Sequence, residues 1–327
     1  MLVVSGASGL LGASVLRSAH EAGWDKDVVG LCHRHLMRDP ALRIARVDLT
    51  DSSATRSLFA DLLSDLRSDL GSELRSDSRP HAIVHCAAAA DVDWCEANPK
   101  EAAAVNVGAS ALLAEIAASF NARFVYISTD SVFDGKRGGY VETDEPAPVN
   151  VYARSKLAAE RVIQRRNPSS TIVRVNIYGW NAQNKESLAE WILRRLEEGK
   201  DVPGFTDVCF NPLLANDLAA ILFAMLQREL TGLYHVVGSE RITKFEFARR
   251  VAATFGFDPA RIRPCQVKDM NLKAERPLDV SLNTAKISRA LGRSMPNVDS
   301  GLRAFRELRD QQYPQQLKNY LDERGQS

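Results

Sequence analysis

The spacing of apolar and polar positions changes character twice along the chain. Short apolar runs rich in β-branched residues predict strands at Leu2–Ser5, Val28–Cys32, Ile44–Val47, Ala82–His85, Phe124–Ser128 and Thr171–Val175. Between them, residues recurring at helical spacing predict helices at Leu10–Ala22, Thr55–Leu70, Glu101–Phe120 and Val151–Arg165. Strands alternating with helices point to a parallel sheet, and runs such as Ala82-Ile83-Val84 read as strands buried on both faces. The expected class is α/β, a doubly wound parallel sheet. Past residue 176 the alternation loosens: Leu188–Glu198, Asn216–Gln227 and Lys244–Phe255 read as helices, Leu233–Val237 as a strand, and Leu302–Leu308 as an amphipathic helix. No Pro/Gly/Ser-rich linker intervenes. The expected organisation is therefore a nucleotide-binding domain over 1–175, rejoined by 208–237, and a smaller interleaved domain over 176–207 and 238–327.

One segment breaks this rhythm. Residues 64–79 read SDLR-SDLG-SELR-SDSR, near-copies of one tetrad. Leu66, Leu70 and Leu74 fall on one helical face, which predicts a surface extension of the preceding helix that ends near Gly71.

Composition narrows the function classes. With 42 basic and 41 acidic residues in 327, the net charge of +1 leaves no broad basic surface for nucleic acid. The longest uninterrupted apolar run, Leu218 to Leu226, is half of the ~18 residues a membrane span needs. No basic residue precedes Arg17, so no secretory signal is expected. The five cysteines show no Cys-x-x-Cys spacing, and Cys32 and Cys86 lie in apolar runs as expected of buried thiols. A cytoplasmic protein without a zinc cluster, a membrane span or a nucleic-acid partner is expected.

The chemistry begins at residue 6. Gly6-Ala7-Ser8-Gly9-Leu10-Leu11-Gly12 follows the first strand and opens the first helix, where glycines let the backbone approach a pyrophosphate on the helix N-terminus. The second strand ends in His33-Arg34-His35, with Arg38 close behind. An acidic residue there would suit a free ribose 2′-hydroxyl, whereas Arg34 suits a 2′-phosphate, so NADPH is favoured over NADH. Asp48 and Leu49 are placed to face the adenine, and Cys86-Ala87-Ala88 ends the fourth strand with small residues that leave room for a cofactor.

Ser128-Thr129-Asp130 then closes the fifth strand, and Tyr152 and Lys156 stand at i and i+4 on the next helix. An ammonium beside a phenol lowers its pKa, so Tyr152 is expected to exchange a proton with a carbonyl or alcohol while Thr129 bonds the same oxygen.

These features, with "YISTDSVFDG" (126–135), "ETDEPAPVNVYARSKLAAE" (142–160), "GLYHVVGS" (232–239) and "RPLDVSLNTAKI" (276–287), resemble the extended short-chain dehydrogenase/reductases, specifically the dTDP-4-dehydrorhamnose reductase branch. The same segments, with "GLLG" (9–12), also resemble the NADP-binding regulatory β subunit of methionine adenosyltransferase. The resemblance spans nearly the whole chain. It implies reduction of a nucleotide-linked 4-keto-6-deoxysugar, with Thr129, Tyr152 and Lys156 as the catalytic set. Lys156 would also hold the nicotinamide ribose, and Gly6, Ser8, Gly9, Leu10, Leu11 and Gly12 the pyrophosphate. Ser131, Asn176 and Arg276 would face the substrate, and dimerisation through the helices at 101–120 and 151–165 is expected.

The departures are specific. Ser131 replaces the tyrosine that usually follows the Ser-Thr-Asp triplet, and Asn176-Ile177 stands where the reductases carry a Ser-Trp pair. Ser14 occupies the place of a glutamate that binds magnesium in some members, so no metal is expected. A non-catalytic NADP-binding subunit is therefore the alternative. A nucleotide-sugar dehydratase or epimerase is a weaker one: Asp130 is followed by Ser131 where dehydratases need a glutamate, and the basic loop argues against the tightly held NAD of an epimerase.

Overall fold

The computed structural model describes residues 1–22, 28–37, 42–69, 82–270 and 272–321, with 63–69 by backbone alone. Arg38 and most of the tetrad repeat lie outside the described residues. Seven parallel strands form one sheet: β1 (Leu2–Ser5), β2 (Val28–Cys32), β3 (Arg43–Arg46), β4 (Ala82–His85), β5 (Arg123–Thr129), β6 (Thr171–Val175) and the Gly232–His235 strand. Their order across the sheet places β1 between β2 and β4, with Leu2 opposite both Val28 and Ala82. The chain runs outward from β1 in one direction, then returns to β4 and runs outward in the other. Ligands of such sheets bind where that order reverses, beyond the carboxyl ends of the strands.

Each strand's composition follows its place. All four residues of β1 and of β4 are buried, as expected for central strands covered by helices on both faces. The edge strand β3 keeps its two end arginines exposed, which discourages further pairing. Helices α1 (Leu10–Glu21) and α2 (Ser52–Asp69) are followed by α3 (Val92–Ala97), which the sequence pattern does not predict. It is a single short turn-and-a-half capped by Asp91, whose carboxylate accepts from the Trp94 N–H at 2.9 Å.

The predicted Glu101–Phe120 helix is interrupted. It runs as α4 (Pro99–Ala103), a wider π turn at Ala104–Gly108, and α5 (Ala109–Ser119). The π turn carries the fully buried Asn106, whose amide grips the loop after β4: Oδ1 accepts from Ala89 N at 2.8 Å and Nδ2 donates to Ala89 O at 3.1 Å. Such bulges recur where a side chain must be re-aimed. Taken as one helix, Pro99–Ser119 is long and apolar enough to cross a membrane, but more than half of its 18-residue apolar window is buried in the fold.

Helix α6 (Val151–Arg166) starts at Asn150, whose Oδ1 accepts from Ala153 N at 2.9 Å. Beyond β6 the chain forms the Leu188–Glu197 helix, then a two-stranded parallel ladder of Val202–Phe205 with Ile262–Cys265. The Ala215–Gln227 helix packs back on α1, and the Gly232–His235 strand pairs with β6. Trp180 stacks on Phe305 at 4.1 Å and donates to its carbonyl at 2.9 Å, so one apolar core continues from the sheet into the C-terminal helices.

Candidate functional site

A cleft of about 910 Å³ opens at the carboxyl ends of β1, β4 and β5. Its first wall is backbone. Gly6 adopts φ +66°, and a Cβ there would lie 2.7 Å from Ala87 N. A Cβ on Gly12 would lie 2.1 Å from the Gly6 carbonyl oxygen, so the first turn of α1 closes on the loop only without a side chain. Gly9 N donates to Gly6 O at 2.9 Å, and Ser8, Leu10 and Leu11 complete this wall. Cys86, Ala87 and Ala88 face it; Cys86 is half-buried, and its thiol is pushed up to about 12 by burial.

At one end lie His33, Arg34 and His35, with Asp48 and Leu49 opposite. Asp48 is held below the usual carboxylate range, first by the Thr50 hydroxyl and N–H at 2.7 and 2.9 Å, then by the charges of His33 and Arg34. His33 Nε2 stands 3.6 Å from the Asp48 carboxylate.

At the other end Thr129, Tyr152 and Lys156 line the cleft together. Thr129 Oγ1 donates to Asp130 Oδ1 at 3.2 Å and accepts from Ser131 N at 3.2 Å, and its side chain tempers the acidity shift of the Tyr152 hydroxyl. Its acidity runs opposite to the expectation from the Tyr-x-x-x-Lys spacing: burial, reinforced by Asp130 and Cys95, pushes the phenol up to about 12. The reason is where the ammonium goes. Lys156 Nζ donates to the Ile127 carbonyl at 2.7 Å and lies 4.2 Å from the Tyr126 ring centre, and its own burial brings it down to about 7. Tyr152 is therefore a protonated phenol at neutral pH.

Ser131 and Asn176 also line the cleft, and both bind Asp130: Asn176 Nδ2 donates to Oδ2 at 2.6 Å and Ser131 Oγ to Oδ1 at 3.2 Å. Arg276 does not line it. Its guanidinium is 3.0 Å from Asp93 Oδ2 on α3 and donates to Ala274 O at 3.2 Å. Ser14 Oγ donates to the Leu10 carbonyl at 3.0 Å, and no cluster of metal-ligating side chains occurs among the described residues.

Two residues escape the sequence reading. Asp130 is 2% exposed, and burial lifts its carboxyl to about 6 despite the bonds from Asn176, Ser131 and Thr129. Its signal was adjacency to Thr129. The second is Asn106, which also donates to Ser155 Oγ at 2.8 Å and so joins the β4 loop to α6; a lone amide in an apolar helix was its signal. A strap from beyond β6 also reaches the first wall, where Gln183 Nε2 donates to Ser8 Oγ at 3.1 Å.

A glycine cradle at the switch point, facing a protonated tyrosine with a lysine one turn on, defines a Rossmann-type dinucleotide site of the short-chain dehydrogenase/reductase kind. The family profile described as RmlD substrate binding domain matches residues 1–309, and the chain belongs to that family. It is 33% identical over 308 residues to the probable low-salt glycan biosynthesis reductase Agl14 of Haloferax volcanii, covering 92% of this chain and 96% of that protein. It is 32% identical over 295 residues to methionine adenosyltransferase 2 subunit beta of Danio rerio, covering 88% and 83%. Among solved structures, dTDP-4-dehydrorhamnose reductase from Bacillus anthracis in complex with NADP shares the fold with a TM-score of 0.75 at 24% identity, covering 94% and 98% of the two chains.

Proposed function

We propose that the protein is an NADPH-dependent reductase of a nucleotide-linked 4-keto-6-deoxysugar. The observation that carries this reading is the grouping of Thr129, Tyr152 and Lys156 at the end of a cleft whose other wall is a glycine cradle. The residues fit the cofactor: side chains are excluded where a pyrophosphate would approach, the N-terminus of α1 faces the same space, and a cationic loop stands at the adenosine end. Gly6, Ser8, Gly9, Leu10, Leu11 and Gly12 would hold the pyrophosphate, Arg34 and His33 the 2′-phosphate, Asp48 and Leu49 the adenosine, and Lys156 the nicotinamide ribose. When bound, NADPH supplies the hydride received by the carbonyl carbon. Tyr152 gives its hydroxyl proton to the carbonyl oxygen, and Thr129 orients that oxygen. The phenol is protonated at neutral pH, the state an acid needs in the reducing direction, and the burial that raises its pKa makes it a weaker acid than a free phenol.

Ser131 and Asn176, and Arg276 from beside α3, are proposed to meet the substrate. Residues 1–175 with 208–237 would serve the cofactor, and 176–207 with 238–327 the sugar nucleotide. A homodimer through the α4–α5 and α6 helices is proposed as well; a monomer mass by light scattering would refute it.

The test is NADPH oxidation with dTDP-4-keto-6-deoxyglucose and an epimerase to supply the 4-keto-rhamnose form. Turnover that disappears in Tyr152→Phe supports the reading. Turnover equal in wild type and variant refutes it. One observation favours a second reading, a non-catalytic NADP-binding subunit: Ser131, in place of a family tyrosine, and Asn176, beside the Ile177 that replaces a tryptophan, spend hydrogen bonds on Asp130. Saturable NADPH binding without reduction of any keto-sugar, together with retention of a methionine adenosyltransferase catalytic subunit, would favour it.

A further inference from the structure

The wall bearing Tyr152 and Lys156 rests on buried charges that the proposed chemistry does not use. Glu160, one turn beyond Lys156 on α6, is 3% exposed, and Arg174 of β6 is 2% exposed. Arg174 holds the carboxylate with two donors, Nη2 to Oε2 at 2.7 Å and Nε to Oε1 at 3.0 Å. Oε1 also accepts from the Ser128 hydroxyl, the residue next to Thr129. The remaining nitrogen of Arg174, Nη1, lies 3.4 Å from His235 Nε2, while His235 Nδ1 is 3.1 Å from the Tyr140 carbonyl. A carbonyl can only accept, so the proton sits on Nδ1 and Nε2 is the acceptor for Arg174. Burial and the arginine push that imidazole down to about 3, so it is neutral.

As a structural clamp this pair is costly. Two buried charges repay their lost hydration only with good geometry, and apolar pairs of similar size are often as stable or more so. An apolar pair could not, however, place a negative charge near Lys156. The ammonium has an uncharged acceptor, the Ile127 carbonyl, and the Tyr126 ring for company. The titratable groups around it are Tyr126 from β5, His85 and Cys86 from the end of β4, and the protonated Tyr152 and Glu160 from its own helix. Tyr126 lies well above its ordinary value, His85 is pushed down to about 3 and Cys86 up to about 12, all mainly by burial, so these three are neutral near pH 7. Glu160 is the charged neighbour that remains among the described residues, and its effect on Lys156 is to favour the ammonium.

We propose that Glu160, oriented by Arg174 and Ser128, is a positioning residue whose negative charge favours the ammonium form of Lys156 and couples that charge to the strand carrying Thr129. The proposal rests on the preceding reading in one respect, that Lys156 is the working cation of the cleft.

The test needs neither sugar nor turnover. In protein labelled with [13Cε]lysine, the Lys156 resonance is identified by its loss in Lys156→Met, and its chemical shift is followed against pH. The wild-type midpoint is expected at about 7. In Glu160→Gln it should fall by about one unit or more, whereas Glu160→Asp, which keeps the charge, should stay near wild type. Glu160→Gln leaves Arg174 buried without an anion, and should it fail to fold, Glu160→Leu/Arg174→Met removes both charges together. The same fall in that folded double variant supports the proposal. An unchanged midpoint in either folded variant overturns it, and so does a double variant that cannot fold, because the pair would then serve the fold itself. A protein that reduces no keto-sugar yet shows the fall would lose the proposed activity and keep this inference.

Discussion

The two ends of the cleft are built from different material. At the glycine end, recognition belongs to the backbone: Gly6 turns with φ +66°, Gly12 comes too close to the Gly6 carbonyl for any side chain, and helix α1 begins there. At the tyrosine end the walls are buried polar side chains, Thr129, Asp130 and Lys156, backed by Glu160, and the last three hold partners from other segments. The first end depends on seven consecutive residues and needs no titration. The second depends on β5, α6 and β6 meeting correctly, and its protonation states are set by that meeting. Backbone sites are therefore sensitive to added atoms, and side-chain sites to altered charge.

The largest effect should come from removing the tyrosine hydroxyl. Tyr152→Phe is expected to lower kcat for keto-sugar reduction by about 10³-fold, the range for a lost general acid, while the NADPH dissociation constant stays nearly unchanged by fluorescence titration. Equal losses in binding and rate would blur the distinction between the two ends. The reverse pattern is expected from Gly12→Ala: the new Cβ meets backbone at 2.1 Å, so about 3 kcal/mol of stability should be lost in denaturant melts, with NADPH binding.

Charge is the third lever. Burial raises the Asp130 carboxyl from 3.8 to about 6, so the folded state holds a proton that the unfolded state has released between those pH values. Stability should therefore fall as pH rises through that window. Asp130→Asn, which carries no such charge, should be more stable than wild type at pH 8 by about 2 kcal/mol, with the gain vanishing below pH 4. Thermal melts at the two pH values check it; a gain independent of pH would mean that burial does not penalise this carboxylate.

At the cationic end, Arg34→Ala should weaken NADPH about tenfold and leave NADH unchanged, measured by paired titrations. The smallest effect concerns the scaffold. Asn150→Ala removes the cap of α6 and the bond from Nδ2 to Glu275 O at 3.0 Å, and should cost about 1–2 kcal/mol in a denaturant melt without altering the NADPH to NADH preference.

Much of this molecule could be read before folding. Six strands of the sheet fall within a residue or so of their expected places, because central parallel strands must be apolar throughout and the glycine loop must follow the first of them. Less could be read where pairing is distant. Helix α3 is too short to show a period, the π turn at Ala104–Gly108 looks like helix to any pattern, and the ladder of Val202–Phe205 with Ile262–Cys265 joins segments some sixty residues apart.

What the sequence determined by itself is the order of elements, the cradle of Gly6, Gly9 and Gly12, and the types of side chain available, since these depend on local sterics and spacing alone. The tertiary structure decided their chemical states. Spacing placed Lys156 one turn beyond Tyr152 and suggested an acidic phenol, yet the ammonium turns to the Ile127 carbonyl and burial makes the phenol a weaker acid. Arg276 is oriented by Asp93, which stands on a helix that the pattern does not predict. A pKa and a side chain's direction are set by desolvation and by partners from distant segments, and neither exists until the chain has closed on itself.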